Sequence, residues 1–84
     1  MSNIPFTLFV RNKKGVLINS QAKSITSYNR LGRFDILSTH SQYISVIEGS
    51  LLVTYEDNKT DEIPLSQGIL KVLENRVSVY LTDK

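Results

Sequence analysis

The single histidine of the chain, His40, is the first residue to consider for chemistry, because an imidazole can act as a general base or bind a metal. It lies in a polar loop within the stretch 32–49, between an apolar run that ends at Leu37 and a second run that begins at Tyr43. The stretch shows no nucleophile–base pair and no metal-ligand spacing, and no cysteine, second histidine or carboxylate cluster lies near His40. We therefore interpret His40 as a hydrogen-bonding loop residue and assign no catalytic or metal-binding residue.

Two pairs of adjacent acids, Glu56-Asp57 and Asp61-Glu62, are the next candidates for chemistry. Catalytic carboxylates need a cleft that shifts their pKa values, and a chain of 84 residues leaves little room for one. Both pairs flank a predicted hairpin, and we interpret them as its solvated ends. The glycines stand singly at predicted turns, without the spacing of a phosphate-binding loop. These patterns favour a protein that is not an enzyme and holds no cofactor.

The composition is that of a small globular domain. Hydrophobic residues make up 40% of the chain, which suffices for one core, and without cysteine there is neither a disulfide nor a cysteine metal site. The net charge is +2, and no aromatic–basic stacking motif accompanies the basic residues, so nucleic-acid binding is disfavoured. The N-terminal apolar run is too short for a signal peptide or a membrane span, so we expect a cytoplasmic protein.

The elements that would position these groups are strands. Short apolar–polar alternations are separated by turn residues, and no window has apolar residues at helical spacing. The predicted strands cover residues 6–12, 16–20, 22–28, 34–37, 43–47, 51–56, 60–65, 67–73 and 76–82. We therefore predict an all-β fold, a small β-sandwich of roughly 8–10 short, mainly antiparallel strands, with residues 1–84 as a single domain.

The alternation also predicts which side chains face the core. In the last strand we expect Val77, Val79 and Leu81 to point inward, and we assign Val53 and Ile69 to the same interior. The proline at position 64 cannot donate a ladder hydrogen bond, so its strand is expected to lie at an edge or to break there. The four tyrosines sit at alternating strand positions, where they could line a binding surface or belong to the core and its rim.

Five segments, in order and in register, resemble the epsilon subunit of F-type ATP synthases. The central segment, residues 32–51, has two parts. Its first part, Gly32-x-Phe34-x-Ile36-Leu37-x-x-His40-Ser41, is similar to the family pattern G-x-[FL]-G-[IV]-L-P-x-H-[AS], and its last four residues, 48–51, are similar to the P-G-x-[LI] turn that follows this pattern. Residues 8–17 and 22–26 resemble the opening strands, residues 66–72 resemble S-G-G-[FI]-L-E-V, and residues 75–83 resemble N-x-V-T-V with a closing aspartate.

Five departures from this pattern fall at its glycine and proline positions. Asp35 and Gln67 stand where the family has glycine, and Ser38, Gln42 and Glu48 stand where it usually has proline. The central loop therefore lacks the rigidity that proline supplies, and the backbone at position 35 is expected to differ from one built around glycine.

The resemblance implies a non-catalytic rotor subunit of the central stalk. Such a subunit docks on the gamma subunit and on the polar loops of the membrane rotor ring, and couples ion translocation to ATP synthesis. The resemblance assigns docking to Arg33, Phe34, His40 and Ser41, with Arg33 reversing the acidic charge that is common at its position. It also implies a peripheral location on the cytoplasmic side of an energy-transducing membrane.

In this family the sandwich is usually followed by a helical hairpin implicated in ATP binding and in inhibition of ATP hydrolysis. The sequence ends at Lys84, so we expect the hairpin to be absent and ATP not to bind. The residues alone leave an alternative open, namely a free-standing β-sandwich outside the ATPase that binds another protein or a small ligand.

Overall fold

The computed structural model describes residues 5–37 and 42–82 and contains only strands in these two ranges. The strands are β1 (Phe6–Asn12), β2 (Gly15–Ala22), β3 (Ser24–Asn29), β4 (Gly32–Ile36), β5 (Tyr43–Thr54), β6 (Thr60–Leu73) and β7 (Arg76–Leu81). The all-β prediction is therefore confirmed. No helix able to cross a membrane is found in the described ranges.

All seven strands belong to one hydrogen-bonded sheet in the order β2-β1-β7-β6-β5-β3-β4. Every neighbouring pair is antiparallel except β1 with β7, which is parallel. The two end strands differ in character. β2 has eight residues and no charged side chain, whereas β4 has five residues and includes Arg33 and Asp35.

The strand count is lower than the predicted 8–10 because two strands are long. The 12-residue β5 takes in the predicted segment 43–47 and most of 51–56, and the 14-residue β6 takes in 60–65 and 67–73. The sequence analysis placed a break between the predicted strands 60–65 and 67–73. The structure has a β-bulge there instead, in which Ser66 and Gln67 of β6 together oppose Glu48 of β5. Because a bulge inserts a residue without ending the ladder, both strands continue through it.

The bulge determines which residues of β6 face the core. Leu65 is buried before the bulge, and Leu70 and Val72 are buried after it, so the inward positions change from odd to even numbers. The prediction that Ile69 faces inward is therefore wrong, and its side chain is 45% exposed. A register shift of one residue moves every later side chain to the other face of the strand.

One hydrophobic core draws residues from all seven strands. Val53, Val77, Val79 and Leu81 belong to it, which confirms their inward assignment. Its members are Phe6, Leu8, Val10, Ala22, Ile25, Ile36, Ile47, Leu51, Val53, Leu65, Leu70, Val72, Val77, Val79 and Leu81. Because the described residues include no helix to cover this face, the sheet folds over and covers it with its own strands.

A contact between two strands that are not neighbours in the sheet supports the folding of the sheet into two layers. The ring of Phe34 on β4 meets the ring of Tyr43 on β5 edge to face, with centroids 6.0 Å apart, although β3 separates the two strands. Residues 60–65 of β6 pair with β5 alone among the described pairings, so Pro64 lies at an edge, as predicted.

A second irregularity lies on the other side of β5. Residues 49–51 of β5 stand against the single residue Ser27 of β3. Ser27 is the one buried polar side chain among the described residues, and its Oγ donates to the carbonyl oxygen of Ser50 at 2.8 Å. Gly49 has φ of 87° there, a conformation that favours glycine. The ladder is thus interrupted on both sides of β5 at nearly the same residues.

The position of the β6 bulge can be tested by truncating two adjacent side chains. We expect Leu70→Ala to lower the free energy of unfolding by about 2–5 kcal/mol, because it leaves a cavity in the core. Ile69→Ala, one residue away on the outer face, should lower it by less than about 1 kcal/mol. Urea unfolding of both variants measures the difference. Equal losses, or a larger loss for Ile69→Ala, would show that the bulge lies elsewhere.

A candidate docking surface

Two of the docking residues assigned from the sequence, Arg33 and Phe34, belong to β4. Arg33 is exposed at this edge of the sheet, with its Nε 3.8 Å from Asp35 Oδ1. Asp35 also accepts a hydrogen bond from Thr26 Oγ1 on the neighbouring strand. The reversed charge at Arg33 is therefore partly neutralised by a residue that the sequence analysis treated only as a replacement for glycine. His40 and Ser41 lie outside the described residues.

Phe34 points away from Arg33, towards the interior of the sandwich. Together with Tyr43 it lines an open groove of about 310 Å³, whose other lining residues include Ile36, Leu37 and Val72. The structure thus separates two of the predicted docking residues: Arg33 is available to a partner at the surface, whereas Phe34 is half-buried and supports the packing between the layers.

The larger exposed feature is an apolar band on the outer face of β5, β6 and β7, which the sequence analysis did not identify. It consists of Ile44, Val46, Ile69, Leu73 and Tyr80, whose side chains are between 39% and 67% exposed. The register places Val46 opposite Ile69 and Ile69 opposite Tyr80, so the band crosses three strands without a gap. Single exposed apolar residues are common, but a contiguous group marks an interaction surface.

Three cations border or interrupt the apolar band. Lys71 lies between Ile69 and Leu73 on the same face of β6. Arg11 on β1 is paired with Tyr80, and its guanidinium carbon lies 6.0 Å from the centroid of that ring, within the range of a cation–π contact. The third cation is Arg76 on β7, which is the cross-strand partner of Leu73 on β6. The face is therefore both apolar and basic.

A signal for the apolar band was present in the sequence. Residues 43–47 read Tyr-Ile-Ser-Val-Ile, so they are apolar on both faces of the strand rather than on alternate positions. A strand with one face in water normally alternates apolar and polar residues. The sequence analysis noted this run without asking what would cover its second face, and the structure leaves that face exposed.

The acid pairs lie at the opposite end of β5, around its turn into β6, and are solvent-exposed as predicted. Glu56, Asp57 and Asp61 contribute to an open groove of about 550 Å³. Tyr55 Oη donates a hydrogen bond of 2.9 Å to Asp61 Oδ2, and burial together with this bond raises the pKa of Tyr55 to about 12. In the part of the chain that the structure describes, no three acidic, histidine or cysteine side chains are placed to hold a metal ion.

Fold and surface together define a small β-sandwich domain with a broad, exposed and partly apolar outer face. Residues 5–83 match the family described as the beta-sandwich domain of the ATP synthase delta/epsilon chain. The chain belongs to this family, as the resemblance in the sequence predicted.

Known proteins that are similar to this chain come from bacteria and mitochondria. The ATP synthase epsilon chain of Sulfurimonas denitrificans is 29% identical over 82 residues, which cover 96% of this chain and 62% of that relative. A chain in a cryo-EM structure of Euglena gracilis mitochondrial ATP synthase, comprising OSCP, F1 and c-ring, superposes with a TM-score of 0.82 at 25% identity, over 95% of this chain and 53% of the other.

A second solved structure supports the fold alone. It is a chain from the central stalk and c-ring of Tetrahymena thermophila mitochondrial ATP synthase, with a TM-score of 0.80 at 14% identity, over 99% of this chain and 67% of the other. The sequence thus spans only part of the length of each of these relatives.

The hydrogen bond between Tyr55 and Asp61 has a measurable consequence for pH. The pKa of the phenol in the folded protein, about 12, exceeds its ordinary value of 10.0, so folding favours the protonated form. This contribution to stability is complete below about pH 10 and is lost as the pH rises towards 12. In an ultraviolet absorbance titration, Tyr55→Phe should remove a transition near pH 12. If the transition that disappears lies near pH 10 instead, the contact with Asp61 is not maintained in solution.

Proposed function

We propose that this chain is a non-catalytic subunit of the central stalk of an ATP synthase. The observation that carries the proposal is the exposed apolar band on a sandwich of the delta/epsilon family. On this proposal the subunit is peripheral to the membrane, on the cytoplasmic side, and contributes by holding other subunits together while they rotate. Together with those subunits it couples ion translocation to ATP synthesis.

The apolar band is the part of the surface best suited to the gamma subunit. Its side chains lie on three adjacent strands of one sheet, so a partner can cover all of them with one broad surface. Burial of apolar area contributes about 25 cal/mol per Å², and it would remove from water the side chains that the sandwich itself leaves exposed. The strands beneath are fixed by the core, so little order has to be gained on binding.

The β4 edge, with Arg33, is proposed to face the polar loops of the rotor ring. Tyr43 and Ile44 connect this edge to the apolar band, because consecutive residues of a strand point to opposite faces. Tyr43 contacts Phe34 of β4, whereas Ile44 belongs to the band. Two proposed contacts, one for gamma and one for the ring, thus meet at the first residues of β5. Torque would pass between them through one continuous sheet.

Recovery of a complex from native membranes tests the proposal. A tagged full chain expressed in the source cells should co-purify with the other ATP synthase subunits. Ile44→Asp should reduce that recovery by about tenfold, because a carboxylate would be taken out of water among apolar groups. Leu17→Asp, at an exposed apolar position on β2 outside the band, is the matched control and should have no effect. Wild-type chain recovered without ATP synthase subunits would overturn the proposal and favour a free-standing binding module.

The ring contact is tested separately by reversing the charge of Arg33. If the cognate ring loop carries an acidic or neutral residue opposite this side chain, Arg33→Glu should weaken binding to the purified ring. The loss should be larger at low ionic strength, because exposed charges are screened by salt. Arg30→Glu, in the turn just before β4, controls for a general change of charge. Unchanged binding of Arg33→Glu at two ionic strengths would show that the β4 edge does not face the ring.

A further inference from the structure

Lys71 occupies the middle of the apolar band. Its neighbours two residues away on the same face are Ile69 and Leu73, and its cross-strand partners are Ile44 on β5 and Ser78 on β7. No carboxylate is within ion-pair distance of Lys71 in the described part of the chain. Water, rather than a carboxylate, therefore compensates the charge of the ammonium group. This is possible only as long as no partner covers the band.

A partner that covers the apolar band removes water from this ammonium group. A charge taken out of water is strongly unfavourable unless an opposite charge or several acceptors replace its hydration. A purely apolar partner surface would therefore bind poorly here, and a basic one would be repelled.

Two further cations, at the border of the band, also require an opposite charge on the partner. Arg11 lies against the ring of Tyr80, and Arg76 is paired with Leu73. The acids nearest to the band along these strands, Glu48 and Glu74, lie at its two ends, in the bulge and in the turn between β6 and β7. The central part of the face is thus positively charged, and complementary charge on a partner would be negative.

We propose that the protein surface covering the apolar band carries apolar side chains around a carboxylate that pairs with Lys71, with further acids towards Arg11 and Arg76. This inference rests on the proposed function, in which the partner is a stalk subunit. An anionic membrane shares part of this chemistry. However, the clusters that bind such membranes contain about 4–8 basic residues, and three lie in or beside the apolar band.

The first part of the experiment identifies the partner without reference to charge. Ile44 in the full chain is replaced by the photo-reactive amino acid p-benzoylphenylalanine, and cells of the source organism are irradiated. We expect a cross-link to a stalk subunit. In the isolated complex, a carbodiimide, which joins amines to carboxylates without a spacer, should then couple Lys71 to an aspartate or glutamate of the same subunit, located by mass spectrometry.

The second part measures the charge requirement with that subunit in purified form. Lys71→Glu should weaken binding by about 10- to 100-fold at low salt, and Lys71→Gln should weaken it less. Replacing the cross-linked acid of the partner by lysine should restore binding to Lys71→Glu. Lys59→Glu, in the turn between β5 and β6, is the matched control and should bind like the wild type.

The outcomes separate this inference from the proposed function. A cross-link from Ile44 to a stalk subunit, with no carbodiimide product at Lys71 and normal binding of Lys71→Glu, overturns the inference and leaves the proposed function intact. No cross-link to any ATP synthase subunit overturns both. Charge-dependent binding to vesicles of equal parts phosphatidylcholine and phosphatidylserine, without binding to the stalk subunit, also overturns the inference and assigns the face to a membrane.

Discussion

The hydrogen bond from Ser27 Oγ to the carbonyl oxygen of Ser50 lies where the sheet has to depart from regular pairing. A buried carbonyl without a partner costs about 1–3 kcal/mol, so an irregular ladder inside a core needs a side chain to replace the missing bond. Ser27 provides that donor with a small side chain, and Gly49, next to Ser50, adopts the positive φ that the irregular backbone has there. With this point satisfied, β5 remains one strand and supports both layers of the sandwich.

The exposed surface follows from the same irregular region. The extra residue in β6 turns Ile69, Lys71 and Leu73 outward and leaves Leu70 and Val72 in the core. The apolar band exists because the bulge determines which residues of β6 point outward. Without the bulge, Lys71 would point into the interior. The chemistry of the domain therefore resides in a broad face with one cation at its centre rather than in a pocket, which suits a subunit whose contribution is to hold other subunits.

Local alternation predicted the fold well wherever the ladder is regular. β7 has no bulge, and its inward residues Val77, Val79 and Leu81 were assigned correctly. In β6 the same reasoning failed at Ile69, because the sequence analysis placed a break at Ser66, between two predicted strands, and the sequence gave no sign of a β-bulge. The family was predicted from order and spacing. The run 43–47 indicated a second apolar face on β5, but its exposure could be found only from the structure, in which no described residue covers that face.

The parallel pairing of β1 with β7 has a consequence for how the domain is made. β7 lies between β1 and β6, so among the described strands the hairpin of β1 and β2 joins the rest of the sheet only through β7, the seventh in chain order. This hairpin cannot join the sheet before β7 is available, and Phe6, Leu8 and Val10 stay uncovered until then. Long-range pairing of this kind folds slowly, so we expect the nascent chain to depend on chaperones more than its length suggests.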